Sequence, residues 1–130
     1  MSELEPAELA ALLARKAQED ATAVREFAAN PQIADSIIGF HAQQTVEKCL
    51  KAAMAARGMK QTRIHDIGRL IQLLEANGAE LPPVRDQLDE LTIYAVPLRY
   101  DELLDAEPLN REAVVRLVED VSDWVDRELA

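Results

Sequence analysis

The stretch of sequence that decides the fold is residues 32–57, QIADSIIGFHAQQTVEKCLKAAMAAR. Its apolar side chains recur at steps of three and four residues, which is the spacing of one face of an α-helix. The residues on this face are Ile38, Ala42, Val46, Cys49, Leu50 and Ala53. Gly58 follows, and glycine is the usual residue for the left-handed position just beyond a helix end. The stretch therefore predicts one long amphipathic helix.

The sequence on either side predicts four more helices, from the same periodicity and from capping residues. Their expected bounds are about Pro6 to Asn30, from residues 62–66 to the terminating Gly78, from after Pro82-Pro83 to before Pro97, and from an N-cap at Asn110 onward. A chain of 130 residues without a repeat or a long linker has the size of one domain. We therefore expect a single domain over residues 1–130, all-α, folded as an up-and-down bundle of four to five helices.

The charge and the missing motifs restrict the function. A net charge of −10 makes the chain a poor general electrostatic trap for nucleic acid, so contact with RNA or a nucleotide needs a local basic cluster or a partner's positive charge. Acidity is also common in cytoplasmic proteins that only need solubility. With one cysteine, two histidines, no phosphate-binding glycine loop and no apolar run of membrane-spanning length, we expect a cytoplasmic protein with no metal, cofactor or membrane segment.

The second helix carries a line of polar residues opposite its apolar face. His41, Gln44, Lys48 and Lys51 follow one another at steps of three and four, after the apolar Ile33 and Ile37. A solvent-facing surface more usually mixes acids and bases. The line predicts a partly covered groove or a subunit contact, and the alternative is a solvated face with two exposed isoleucines.

Two acidic residues outside this line have a structural interpretation and a functional one. Asp20 falls on the apolar face of the first helix, beside Lys16, so it forms either a structural bridge inside the bundle or part of a polar cavity with the second helix. Asp66 precedes the third helix and is expected to cap it.

Two further groups could contribute to a site. His65 is a candidate general base or phosphate ligand, and the alternative is a polar surface residue. Arg99, in the loop after Pro97, could bind phosphate in a fork geometry beside the stacking or hydrogen-bonding Tyr100. Arg99 could equally pair with local acids such as Asp101.

These residues stand in an order that resembles a known family. Residues 40–52, Phe-His-Ala-Gln-Gln-Thr-Val-Glu-Lys-Cys-Leu-Lys-Ala, resemble the second-helix signature of the HEPN domain family, in which Phe-His-Ala-Gln-Gln leads into Glu-Lys and then Lys-Ala. His65-Asp66-Ile67 is similar to the His-Asp-Leu that opens the family's third helix, and Arg99-Tyr100 is similar to its later Arg-Tyr. The Lys16 to Asp20 segment resembles the family's Lys-Ala-x-x-Asp.

The resemblance implies a helical bundle, usually a homodimer, often paired with a minimal nucleotidyltransferase in a toxin–antitoxin module. Many relatives are metal-independent ribonucleases that use Arg, four to six residues, then His. Here seven residues separate Arg57 from His65, and Arg63 is only two positions before that histidine, so the usual motif is absent. The resemblance therefore implies binding more than cleavage, and no catalytic residue is assigned, although His41, His65 and Arg99 are candidates.

Three functions follow as hypotheses. The first is a nucleotide- or RNA-binding dimer whose Lys48, Lys51 and Arg99 hold phosphate. Its base or sugar contacts are expected from His41, Gln44 and Tyr100, with Asp20, Glu47 and Asp66 as structural or pocket polar groups. The second is a metal-independent RNase toxin, with His41 or His65 as acid–base group and Arg99 stabilising charge. The third is a structural homodimer without a ligand.

Overall fold

The computed structural model of the chain describes residues 4–82, 85–94 and 108–130. The helices are α1 (Pro6–Ala28), α2 (Asp35–Ala56), α3 (Ile67–Ala76), the short α4 (Arg85–Leu88) with a 3₁₀ helix directly after it (Asp89–Tyr94), and α5 (Arg111–Leu129). No strand occurs in these three ranges. The prediction of an all-α bundle is confirmed.

The helices α1 and α2 form an antiparallel pair that is the centre of the fold. Asp20 contacts Lys48, whereas the later Phe27 packs its ring edge-on against the earlier His41, so the two helices run in opposite directions. Alanines at 17, 21 and 42 are completely buried. Small side chains allow two helices to approach closely.

One aliphatic core joins all the described helices. Its largest fully buried side chains include Ile38, Leu50, Ile67, Leu70, Leu74, Leu88 and Val118. Trp124 of α5 packs against this core while its indole N–H donates to the carbonyl of Glu80 at 2.9 Å. The predicted apolar face of α2, from Ile38 to Ala53, is buried throughout.

The chain turns back along α2 in residues 57–66, which we call the return segment. Gly58 has φ +71°, so it ends α2 in the predicted left-handed conformation. Met59 then donates its N–H to the carbonyl of Met54, and the Gln61 side chain donates to the carbonyl of Lys51. The segment therefore runs antiparallel to α2 without being helical.

The early end of the predicted range for the start of α3, at Thr62, is wrong. The Thr62 hydroxyl accepts the N–H of Ile64 at 2.7 Å, a local contact that competes with helix formation. The helix begins at Ile67, and the Asp66 carboxylate accepts the N–H of Arg69 at 3.1 Å. The expected capping role of Asp66 is confirmed, as is that of Asn110 at α5, whose side chain accepts the N–H of Ala113.

The second helix begins at Asp35 rather than at Gln32. Two further features of the helices also differ from the expectation. The first helix ends at Ala28 rather than Asn30, because the Asn30 side chain accepts the N–H of Gln32 and closes a turn. The fourth helix becomes a 3₁₀ helix after Leu88. Its buried residues Leu88, Leu91 and Tyr94 are three apart, which is the period of a 3₁₀ helix.

Gly39 of α2 packs directly against the aromatic ring of Tyr94. A Cβ atom at position 39 would lie 2.4–2.6 Å from three atoms of that ring. Although alanine is the better helix former by about 1 kcal/mol, we expect Gly39→Ala to destabilise the protein by about 2 kcal/mol through overpacking.

Urea unfolding of Gly39→Ala measures this loss. In a Tyr94→Ala background the ring is gone, so the same substitution is expected to become neutral or stabilising. A destabilisation that is equally large in both backgrounds would show that the ring is not the cause.

Candidate functional site

The first polar contact between α1 and α2 is centred on Asp20. One carboxylate oxygen of Asp20 lies 2.9 Å from Nδ1 of His41, and the other lies 2.6 Å from Nζ of Lys48. The Asp20 side chain is 12% exposed, and those of His41 and Lys48 are 28% exposed. Lys16, the neighbour noted in the sequence, pairs instead with Glu19 at 3.3 Å. Asp20 therefore joins the polar line of α2.

The second contact is centred on Glu47, which is nearly buried. Its carboxylate accepts hydrogen bonds from Gln43 Nε2 at 3.0 Å and Lys51 Nζ at 3.2 Å. Nδ1 of His65, from the return segment, lies 3.1 Å from both carboxylate oxygens. Three different side chains therefore converge on one carboxylate between α2 and the return segment.

The surroundings of Glu47 keep it ionised. Burial by itself would raise the pKa of this carboxyl, but the hydrogen bonds from Gln43 and His65 and the charge of Lys51 outweigh burial and hold the pKa below its ordinary value of 4.5. Glu47 is consequently a fixed negative charge at neutral pH. It positions Lys51 and His65 by attraction as well as by hydrogen bonding.

Glutamine side chains extend the hydrogen bonding around Glu47 along α2. Gln44 donates to the side-chain carbonyl of Gln43 at 2.7 Å, and Gln43 also lies 3.4 Å from the backbone carbonyl of His65. We call the whole arrangement the α2 polar cluster. Its members are Asp20, His41, Gln43, Gln44, Glu47, Lys48, Lys51 and His65.

The cluster is balanced in charge rather than simply cationic. Each carboxylate holds one lysine and one histidine, so the two lysines that form the predicted cationic line are both paired. For Asp20 the sequence left two alternatives open, and the structure shows its contact with the second helix. The pairing of Glu47 was not recognised, because its i, i+4 relation to Lys51 resembles an ordinary surface pair. The structure instead buries Glu47 and exposes only 12% of the Lys51 side chain.

The two histidines have a defined orientation. A carboxylate only accepts hydrogen bonds, so Nδ1 of His41 and of His65 must carry the proton in these contacts. Among the described residues Nε2 of neither ring has a hydrogen-bond partner. Nε2 is therefore available to accept a proton or to contact a ligand. His65 is the more accessible of the two, with 67% of its side chain exposed.

Three predicted site residues remain, which are Asp66, Arg99 and Tyr100. Asp66 is engaged at the start of α3, and Arg99 and Tyr100 fall outside the described residues. Sequence reasoning missed Gln43, which is completely buried. The available signal was its position four residues before Glu47, which is the spacing of an interacting pair on a helix.

Other kinds of site find little support in the described ranges. No group of three or more metal-ligating side chains occurs in them. The thiol of Cys49 is buried, and burial together with the charge of Asp126 raises its pKa to about 12, so it is an unreactive core residue. None of the described helices is long and apolar enough to cross a membrane.

Comparison with known proteins identifies a family for this chain. The model of the HEPN domain family matches residues 10–128, which is nearly the whole chain. No curated protein and no solved structure shows significant similarity. The chain therefore belongs to the HEPN domain family of nucleotide- or RNA-related modules.

Proposed function

We propose that the α2 polar cluster binds the phosphate of a nucleotide or of RNA. The observation that supports this proposal is the pairing of Lys48 with Asp20 and of Lys51 with Glu47 on one helix face. A lysine has three N–H donors, so each can keep its carboxylate partner and still donate to a phosphate oxygen. Because both lysines are largely shielded from water, such a contact is stronger than one at an open surface.

The other predicted ligand contacts extend this proposal. His41 can donate or accept through Nε2, and Gln44 keeps part of its amide for a base or a sugar. Arg99 and Tyr100 are proposed to add a guanidinium fork and a stacking ring, as their sequence context predicts. The charges of the two lysines and the two carboxylates cancel.

We also propose that the chain works as a homodimer with a minimal nucleotidyltransferase, as part of a toxin–antitoxin pair. The family match supports this assignment. Ile37, 44% exposed near the start of α2, offers an apolar contact point for a second copy. Native mass spectrometry of the purified protein tests it, since a mass of one chain at micromolar concentration would contradict the dimer.

Thermal unfolding with and without nucleotide tests the ligand proposal. A ligand at 100 times its Kd stabilises the folded state by about 2.7 kcal/mol, which for a domain of this size raises the Tm by roughly 10 °C. We expect that rise with ATP or AMP for the wild type and its loss in Lys48→Met. The matched control is Lys16→Met, because Lys16 belongs to an exposed pair on α1. An unchanged Tm at millimolar nucleotide would contradict the proposal.

A second candidate function, RNA cleavage without metal, is favoured by the two carboxylate–histidine pairs. In each pair Nδ1 is held and Nε2 is left available, which is the arrangement of a general acid or base. Cleavage would then give a 2′,3′-cyclic phosphate in the presence of a chelator. Full activity in the His41→Ala, His65→Ala double variant would exclude it.

A further inference from the structure

The cationic residues of this acidic chain are concentrated in one region. Residues 48–69 contain six of the 14 lysines and arginines but only one of the 24 aspartates and glutamates, Asp66. The region comprises the second half of α2, the return segment and the start of α3. The rest of the chain holds the other eight cations and 23 acids, so the charge is segregated along the sequence.

Four of these six cations are exposed and lack an acidic partner. They are Arg57, Lys60, Arg63 and Arg69. Within the described ranges none of them forms an ion pair, whereas Lys48 and Lys51 are paired with carboxylates. The guanidinium of Arg57 donates to the side chain and backbone oxygens of Asn77, and that of Arg69 donates to Gln72. These partners are neutral, so the positive charges remain uncompensated.

The return segment places these charges beside the α2 polar cluster. Met59 and Ile64 pack against the core, while Lys60, Arg63 and His65 are exposed between and after them. The segment contacts α2 in turn at the carbonyl of Met54, at the carbonyl of Lys51 and at the carboxylate of Glu47. A molecule that contacts Lys60 and Arg63 can therefore continue directly to the cluster.

We propose that Arg57, Lys60, Arg63 and Arg69 form a basic edge that binds the phosphate backbone of a single-stranded polynucleotide, one phosphate of which occupies the α2 polar cluster. This inference rests on the proposed ligand site and specifies its ligand as a strand rather than a mononucleotide. Several phosphates in a row are the ligand that matches a row of uncompensated cations.

The composition of the edge favours a polynucleotide over an acidic protein. Stable protein interfaces have an apolar, often aromatic centre. The large apolar residues that are exposed in the described ranges are Leu4 and Ile37, and neither lies in residues 57–69. The return segment is also not a helix that could enter a groove and read base edges. Binding is therefore expected to depend on salt and to be nearly independent of sequence.

The salt dependence of binding measures this directly. The probe is a fluorescently labelled 12-nucleotide oligouridylate RNA, and its affinity is followed by anisotropy between 50 and 200 mM NaCl. For single strands the slope of log K against log salt concentration is about −0.7 per phosphate contact. The Lys60→Gln, Arg63→Gln variant, with two contacts fewer, is expected to show a slope shallower by about 1.4 and an affinity roughly twenty-fold lower at 0.1 M salt.

The matched control is the Arg25→Gln, Arg116→Gln variant. It removes the same charge from two exposed arginines that line a hollow at the end of α1 and the start of α5. Its slope is expected to equal that of the wild type. All four substituted side chains are exposed, so both variants should fold.

The outcomes separate the basic edge from the ligand site. The basic edge is overturned if the salt slope of Lys60→Gln, Arg63→Gln equals that of the wild type, or if the control variant shows the same reduction in slope. Either result leaves the ligand site standing. Binding of AMP without any binding of the oligonucleotide would also overturn the basic edge and leave the ligand site standing. If neither the oligonucleotide nor AMP binds at 50 mM NaCl, the edge and the proposed function both fail.

Discussion

Glu47→Leu is expected to lower the free energy of unfolding by about 3 kcal/mol, because it removes one member of a buried, hydrogen-bonded ion pair and leaves the other without a partner. Lys51 would lose its carboxylate at a position where only 12% of its side chain is exposed. Gln43, completely buried, would also lose an acceptor. Urea denaturation with an unchanged m-value measures the loss.

Two controls show whether the loss of stability comes from the buried ion pair of Glu47. Glu19→Leu removes an acid from the exposed pair with Lys16, and pairs of that kind contribute at most about 1 kcal/mol. Adding Lys51→Met to Glu47→Leu removes the unpaired charge and should restore part of the stability. A loss below about 1 kcal/mol in Glu47→Leu would show that the carboxylate does not hold the cluster together.

The same carboxylate predicts a dependence on pH. Because its folded-state pKa lies below the ordinary 4.5, Glu47 contributes stability that is complete above that value and is lost as the pH falls through the folded-state pKa. Glu47→Gln cannot titrate. Its stability should therefore decline less than that of the wild type below about pH 4.5. Parallel acid curves for the two proteins would contradict the assignment.

Arg111→Lys is expected to cost about 3 kcal/mol, although it keeps the charge. The guanidinium of Arg111 pairs with Asp35 at 3.1 Å and donates to backbone carbonyls that end α1 and form the turn into α2. These acceptors are Phe27 and Ala28 at 3.4 Å, Asn30 at 2.9 Å and Ile33 at 2.6 Å. A lysine ammonium has three donors and no planar fork, so several carbonyls would lose their partner.

The control for Arg111→Lys lies on the same helix. Arg116 is exposed and has no ion-pair partner in the described ranges, so Arg116→Lys should change the stability by less than about 0.5 kcal/mol. Thermal unfolding of both variants provides the comparison. Equal Tm values for the two variants would mean that the carbonyl contacts of Arg111 contribute nothing to stability.

Sequence alone predicted the helices well because the signals for helices are local. The buried face of α2, the caps Asp66 and Asn110, and the left-handed Gly58 and Gly78 all depend on residues a few positions apart. The 3₁₀ winding up to Tyr94 was missed. The ring of Tyr94 packs against Gly39, which is 55 positions away in the chain, and local sequence signals do not report such a contact.

The candidate site was predicted less completely, for the same physical reason. The polar line from His41 to Lys51 follows from helical periodicity. Helical periodicity does not predict the partners of that line, because Asp20 and His65 reach it from other segments of the chain. The sequence therefore indicated a cationic surface. The folded protein instead has two charge-balanced centres on α2, and the exposed cations next to them lie in the return segment and at the start of α3.

The most direct test of the α2 polar cluster as a phosphate-binding site is an NMR titration of the ¹⁵N-labelled protein with AMP. We predict that the largest amide shift changes fall in residues 41–51 and 61–65, and that Lys48→Met abolishes them. Changes confined to the hollow between the 3₁₀ helix and α5, lined by Leu91, Tyr94 and Leu117, or no saturable change at millimolar AMP, would contradict the account.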